Sequence, residues 1–379
     1  MPLPEPVIDE AVRRYRRESD CYAKLARFVA EKCESDIVRA SAIRASVTHR
    51  AKSADKFREK LVRKYKDKAN LNTVEDALNA VTDLAGVRVS TYQEQDRDKV
   101  VEAIKRLFTL PVQDGGQNPD RKDNDEKGKF YRATHCQVVL LADDLEEPYE
   151  NLEGLSCEIQ VCSMLAHVWN EIEHDLAYKP TTGDLSPREK ESLDVLGNLT
   201  LSGDVVIKQL FDANAERLAK RAGEGVVFQD RHDFIARIRD HFPASTDFGN
   251  YAGQLFDDLM ALGLNSPAAI KQALLSEGYQ DLSATLLAAL QQYLANHHDD
   301  VVELQAISSD PLLMLLLNDR LDQVLARHPM GRGRGRPPRI ASVAARFRDM
   351  REQHNAANQP PPPAGDGGGP QPGQEQIAQ

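Results

Sequence analysis

The stretch SCEIQVCSMLAHVWNEIEHDLAYK, residues 156–179, changes period part-way along, and that change decides how the chain is read. Over Ser156–Cys162 the residues alternate: Ile159 and Val161 fall on one side, Glu158, Gln160 and Cys162 on the other, as in a half-buried strand. After Ser163, an N-cap residue type, Leu165, Val168, Trp169, Ile172 and Leu176 recur at helical spacing. His167, Asn170, Glu171 and His174 take the opposite face. The pattern predicts a strand, a tight turn and a helix, with the Glu158 carboxylate on the polar face of the strand. Periodicity alone is satisfied by an ordinary amphipathic helix with a solvated face.

Working outward, length and composition set the frame. A chain of 379 residues exceeds one compact core and suits two domains and a tail. Its hydrophobic content of 41% supports buried cores. No apolar run reaches the roughly eighteen residues of a membrane span, and MPLPEPVIDE has no signal-peptide pattern, so the expectation is a cytoplasmic protein without a membrane partner. Cysteines at 21, 33, 136, 157 and 162 form no C-x-x-C pair and read as reduced thiols. The net charge of −11 conceals a segregation: residues 11–68 hold eighteen Lys and Arg against eight Asp and Glu, a local +10 that leaves −21 on the remainder. A basic segment of this kind suits a polyanionic ligand, nucleotide phosphates or RNA, although each single cation is more simply a solvated side chain.

Residues 8–46 read as helix, and VTHRAKSADKFREKLVRKYKD (47–67) as a basic turn entering a second helix capped by Ser53, with Lys56, Lys60 and Lys64 along one line. Thr73 and Asp76 cap a short helix, DLAGVRVSTY (83–92) turns into a strand, and 96–108 is an amphipathic helix. Residues 112–129 lack periodicity and read as a mobile loop, ending in the strand FYRATHCQVVLLA (130–142). Ser186, Pro187 and Glu189 open another helix with a capping box.

The wording of these segments resembles the RelA/SpoT-type (p)ppGpp synthetases. In the opening stretch Glu158, Gln160, His167, Trp169, Ile172, Glu173, His174, Asp175, Tyr178 and Lys179 fall in register with that family's pattern, while Cys162 and Ser163 stand where Arg and Thr are usual. Arg50, Lys52 and Lys60 match the donor-nucleotide motif, with Lys56 replacing a Ser. Asp83, Leu84, Gly86 and Arg88 match D-[IL]-x-G-x-R; Tyr131, Ala133 and His135 match G-Y-x-[SA]-x-H, with Phe130 in place of Gly.

The resemblance implies an α+β fold over residues 1–222, a mixed β-sheet flanked by helices in a nucleotidyltransferase-like synthetase domain. It implies transfer of the β,γ-diphosphate of ATP to the 3′-hydroxyl of GDP or GTP. Asp83 and Glu158 would share Mg2+, Glu158 serving also as base, and Arg50, Lys52 and Lys60 would hold ATP. Tyr131 would stack the acceptor base and His135 place its phosphates, with Arg88, Gln160 and His174 as further acceptor contacts. The alternative is a toxin-like enzyme acting on the 3′ end of tRNA or another nucleotide, and small members of the family bring a homo-oligomer or an antitoxin partner into view. Phe130 could crowd the acceptor pocket, and the loss of Arg at 162 removes a charge expected near phosphates.

Residues 223–328 read as an all-helical accessory domain. His232-Asp233 and His297-His298-Asp299-Asp300 invite comparison with the hydrolase of long family members, but that hydrolase precedes the synthetase, and dipeptides are weak signals. Residues 329–379 read as a disordered Arg/Gly/Pro-rich tail whose Arg334-Gly335-Arg336-Pro337 core resembles an AT-hook, open to nucleic-acid contact through its basic charge.

Overall fold

The computed structural model describes residues 3–65, 71–111, 117–123, 130–145, 147–177, 184–221, 223–242, 247–299, 302–329 and 337–357. Tyr178, Lys179, most of the 112–129 loop, the Arg334–Arg336 run and residues 358–379 lie outside them. A five-stranded mixed sheet is built from β1 (Ala45–Ala51), β2 (Ala85–Thr91), β3 (Asp120–Asp123), β4 (Arg132–Val139) and β5 (Ser156–Ser163) in the order β1-β2-β5-β4-β3. Only β2 and β5 run parallel; the other neighbours are antiparallel. The sequence reading missed two of these strands. β1 lies where a turn was expected, and β3 lies inside the expected loop.

Strand register places the chemistry. Arg50, Gly86, Glu158 and Gln137 stand in one row across four strands, and Thr48, Arg88, Gln160, His135 and Asp120 in the next row of the same face. The intervening residues, among them Val87, Val89, Cys136, Val138, Ile159 and Val161, are buried against the long helix α1 (Glu5–Lys32) and its neighbours. Because side chains alternate with period two, one face is core and the other is free for polar work.

Helix α2 (Ala54–Lys60) is capped by Ser53 and α3 (Val74–Asn79) by a Thr73/Asp76 capping box, as the sequence predicts. Helix α4 (Asp96–Leu107) follows β2, and α5 (Met164–Ala177) leaves β5 with Ser163 Oγ accepting from the Ala166 N–H at 3.0 Å. The buried face of α5 differs from the expected stripe. Ala166, Trp169 and Asn170 are buried, whereas Val168, Ile172 and Leu176 are exposed, because α5 meets β4 and α6 (Pro187–Arg221) through the former set. Gly197 makes the α6 contact possible: a Cβ there would fall 2.1 Å from the Phe130 ring.

Behind the sheet edge lies a buried ionic cluster. Arg97, 1% exposed, bonds Asp123 at 2.6 Å and Glu94 at 2.9 Å, while Arg132 bonds Asp204 at 2.9 Å and approaches Glu94 at 3.8 Å. Ser163 also donates to Asp204. Burial raises the pKa of both Glu94 and Asp204.

A second core belongs to the helices α7 (Arg231–Ile238), α8 (Ala252–Ala261), α9 (Pro267–Leu274), α10 (Tyr279–Asn296), α11 (Asp310–Arg327) and α12 (Arg339–Ala357). The last of these corrects the reading of 329–379 as a tail that does not fold. Ile340, Val343, Ala344 and Phe347 are buried in the second core, and Arg339 clasps the buried Asp310 carboxylate with two bonds of 2.8 Å. The His-Asp dipeptides have structural partners instead of a common site. Asp233 accepts from the Gln229 N–H ahead of α7 and pairs with Arg237, His297 Nδ1 lies 2.8 Å from the Tyr293 carbonyl, and Asp299 pairs with Arg346. Helix α8 presses on the segment leading into β1: the Gly253 N–H donates to the Ala40 carbonyl at 2.8 Å, and a Cβ on Gly253 would fall 1.8 Å from the Arg39 carbonyl oxygen. Among the described residues no helix is long and apolar enough to cross a membrane.

Candidate active site

The polar sheet face opens into a cleft of about 1580 Å³. Arg50, Lys52, Lys60, Asp83, Arg88, Tyr131, His135, Glu158, Gln160 and His174 all line it. One wall, from β1 and α2 onward, is basic and adds Lys56, Arg58 and Arg63; the opposite wall, from α5, adds Glu171, Glu173 and Asp175.

Two carboxylates lie between these walls, each held differently. Asp83 accepts from Lys52 Nζ and Lys60 Nζ, both at 2.7 Å. Burial alone would raise its pKa, but the charges and hydrogen bonds of the two lysines more than offset this and hold the carboxyl below its ordinary value. Lys52 is placed through its backbone as well, its carbonyl accepting from the buried Tyr15 hydroxyl. Glu158 lies 3.3 Å from His135 Nδ1 and 3.4 Å from Thr82 Oγ1. Burial pushes its pKa up; the hydrogen bond from His135, the charge of that imidazole when it is protonated, and Lys60 outweigh burial and the repulsion of Asp83 and hold the carboxyl below its ordinary value. That repulsion also means the two carboxylates share one electrostatic environment.

A continuous line of hydrogen bonds leads away from Glu158. His135 Nε2 lies 2.9 Å from the Tyr131 hydroxyl, which accepts from Gln160 Nε2 at 2.9 Å, and Gln160 Oε1 accepts from Arg88 Nε at 3.1 Å. With a neutral imidazole the directions are fixed by chemistry. Gln160 donates to Tyr131, Tyr131 donates to His135, and His135 Nδ1–H donates to Glu158. Arg88 ends the line, bonding Glu171 at 2.6 Å and approaching His167 at 3.3 Å. Burial raises the Tyr131 pKa to about 12, so its hydroxyl remains a donor throughout the neutral range.

Arg50 is exposed on the cleft rim and has no hydrogen bond among the described residues, which leaves its guanidinium free for a ligand. His174 lines the outer part of the α5 wall, with its side chain 58% exposed, and is not joined to the Glu158–Arg88 line. Two expectations change. Phe130 does not crowd the cleft, because its ring meets Trp169 edge-on at 5.9 Å and lies against Gly197. Cys162 is fully buried with Ala133 and Ala166, with Tyr131 packed against them, so position 162 lies beneath the aromatic platform and not among the cleft's cations. Thr82 and Gln137 were missed by the sequence reading. Gln137 donates to the Thr82 carbonyl at 3.1 Å, steadying the residue before Asp83, and its place two residues after His135 on one strand was the available signal.

Residues 49–183 match the family model described as a region found in RelA / SpoT proteins. In sequence this segment is similar to that region. Every predicted site residue lies inside it. No curated protein matches the chain. Among solved structures, the small alarmone synthetase 1 from Bacillus subtilis is 21% identical, over 54% of this chain and 98% of that one, with a TM-score of 0.42. A GTP pyrophosphokinase family protein from Streptococcus pneumoniae is 21% identical, over 55% of this chain and 98% of that one, with a TM-score of 0.43. The same Bacillus subtilis synthetase bound to AMPCPP is 18% identical over 54% and 99%, with a TM-score of 0.41. The matched segment runs from the last residues of β1 through α5 and includes the residues that line the cleft, and the second core lies beyond it.

Proposed function

We propose that the chain is an ATP:nucleotide 3′-pyrophosphotransferase that makes (p)ppGpp from ATP and GDP or GTP. The observation that carries this reading is the meeting of Asp83 and Glu158 in one cleft beneath a wall of cations, within the segment similar to the RelA/SpoT region. In the reaction the acceptor 3′-oxygen forms a bond to the β-phosphorus of ATP, the bond from that phosphorus to the α,β-bridging oxygen breaks, and AMP leaves. The 3′-hydroxyl proton passes to Glu158, the ionised carboxylate at the inner end of the hydrogen-bonded line. Lys52, Lys60 and the free Arg50 guanidinium meet the donor's phosphates and base. The Tyr131 ring offers a stacking face to the acceptor base, and its hydroxyl anchors that ring to Gln160 and His135. His135 therefore orients Glu158, a role beyond the phosphate placement that the resemblance implies.

Two carboxylates that share an electrostatic environment suit Mg2+, which takes one or two protein carboxylates and fills its shell with water and substrate phosphates. Asp83 and Glu158 would hold it, and it would neutralise charge developing on the transferred group.

The acceptor wall favours a nucleotide over tRNA. Glu171, Glu173 and Asp175 there would repel a phosphate-rich backbone but can accept from the amino edge of a guanine. The test is product identification with labelled ATP and, separately, GDP, GTP, ATP and tRNA. Label appearing in guanosine tetra- or pentaphosphate with release of AMP is expected; label on tRNA alone would replace the acceptor. Glu158→Gln should abolish transfer with an unchanged circular dichroism spectrum, and near-wild-type turnover in that variant removes the mechanism.

A further inference from the structure

A second cavity, of about 660 Å³, lies where residues 41–44 before β1, the start of α4, and α7 with its following turn come together. It shares no lining residue with the first cleft, and its volume is in the range of small-molecule sites, roughly 300–1,000 Å³. Its ions pair off unevenly. Lys99 holds Asp247 at 2.9 Å and Asp96 at 3.7 Å, and Asp240 is met by Arg239 at 3.5 Å. Arg44 is left over. Its guanidinium lies 4.5 Å from the Phe211 ring centroid, half-buried, with no hydrogen bond or ion pair among the described residues. The His232 imidazole is likewise without a hydrogen-bond partner; only its backbone N–H is engaged, by Asp230.

A guanidinium that meets a ring and has no hydrogen-bond partner still has its N–H groups for an oxyanion. Beside it a neutral imidazole can donate a further hydrogen bond, and Ile235, Phe242 and Phe248 supply an apolar surface. We propose that this cavity binds a small organic oxyanion, a carboxylate or phosphate monoester on a compact apolar body, clamped by Arg44 with His232 as the second donor. Three cations, Arg44, Lys99 and Arg239, face three acids, Asp96, Asp240 and Asp247, so the cavity offers one unpaired cation but no net positive charge and does not match a triphosphate, which separates this ligand from the nucleotides of the first cleft.

The charge balance around His232 gives the binding a readout. Burial and then the Arg44 charge lower its pKa to about 4, against a smaller opposing pull from Asp230, and Arg231 adds to the lowering. Lys99 and Arg239 are the other cations of the cavity, Asp96, Asp240 and Asp247 its other acids. An anion seated between Arg44 and His232 reverses the local field, so it must raise the His232 pKa.

The experiment is histidine-detected NMR on the full chain, with phenyl phosphate and benzoate as probes and the His232 signal assigned by its loss in His232→Gln. A saturable shift of the His232 signal with at least one probe, and a His232 pKa that climbs above about 4 on saturation, are expected. Phenyl phosphate alone, or benzoate alone, would name the class within the proposal. Arg44→Gln should weaken binding about 10- to 100-fold while the other histidine signals stay in place, and Arg44→Lys should recover part of the loss. Equal affinity in Arg44→Gln, or a probe that shifts His135 and leaves His232 unmoved, overturns the proposal. The outcome is independent of whether the first cleft transfers pyrophosphate.

Discussion

Tyr131 carries two functions in one side chain, a ring for stacking and a hydroxyl between Gln160 and His135. Tyr131→Phe separates them. Losing one hydrogen bond of about 1 kcal/mol in the line that orients Glu158 should lower kcat roughly fivefold to tenfold with little change in the acceptor KM, whereas Tyr131→Ala should raise that KM as well. Steady-state kinetics with varied GDP distinguishes the two, and a Phe variant indistinguishable from the parent would remove the hydroxyl from the mechanism. The site was legible at this scale because its residues sit at even spacings on strands. Glu158 and Gln160, or Gly86 and Arg88, share a face whatever the tertiary structure. Depth was not legible. Cys162 continues the same alternation, yet the entry of α5 and the Tyr131 ring bury it, and no periodic pattern distinguishes a covered end of a strand face from an open one.

At the scale of elements, two glycines and one arginine set how helices dock. Gly253→Val would drive a side chain into the Arg39 and Ala40 carbonyls, backbone atoms that cannot step aside, so we expect a loss of about 2–3 kcal/mol, measured as a fall in the denaturant midpoint. Arg339→Ala strips the buried Asp310 carboxylate of its clasp and should cost about 3–5 kcal/mol, detaching α12 before the rest of the second core melts; hydrogen exchange along α12 reads this directly. An unchanged exchange rate there would mean that apolar burial alone seats the helix. α12 escaped the sequence reading because the Gly, Arg and Pro on either side dominate the composition of 329–379, although Ile340, Val343, Ala344 and Phe347 have the spacing of a buried helical stripe. β1 escaped for a different reason. It is an edge strand with its outer residues exposed, so its alternation is weak, and pairing with β2 rather than its own pattern makes it a strand. The caps, by contrast, were readable at Thr73/Asp76 and Ser186/Glu189 because each is a local exchange of hydrogen bonds within four residues.

For the whole molecule, the two cores meet where α7 and α8 lie against residues 39–44, and that junction holds His232. In the unfolded chain this imidazole takes up its proton near the ordinary value of 6.5, but in the folded chain only near 4. Between those values the unfolded state binds more protons, so stability at this site is full above 6.5 and declines as pH falls towards 4. His232→Gln should flatten that part of the pH-stability profile measured by thermal melting, and a profile of unchanged slope would place the acid sensitivity elsewhere. The division into a sheet-bearing part and a helical part was visible in the sequence as a change of period, while the contacts at the junction, made largely by backbone carbonyls and a glycine, leave no trace in side-chain patterns. A last consequence concerns the ionic cluster of Glu94, Arg97, Asp123, Arg132 and Asp204. Removing any one member strands an opposite charge away from water, so single exchanges are penalised while paired ones need not be. These five positions should therefore drift only in concert, and a library randomised at all of them together should recover functional combinations that no stepwise path through single variants can reach.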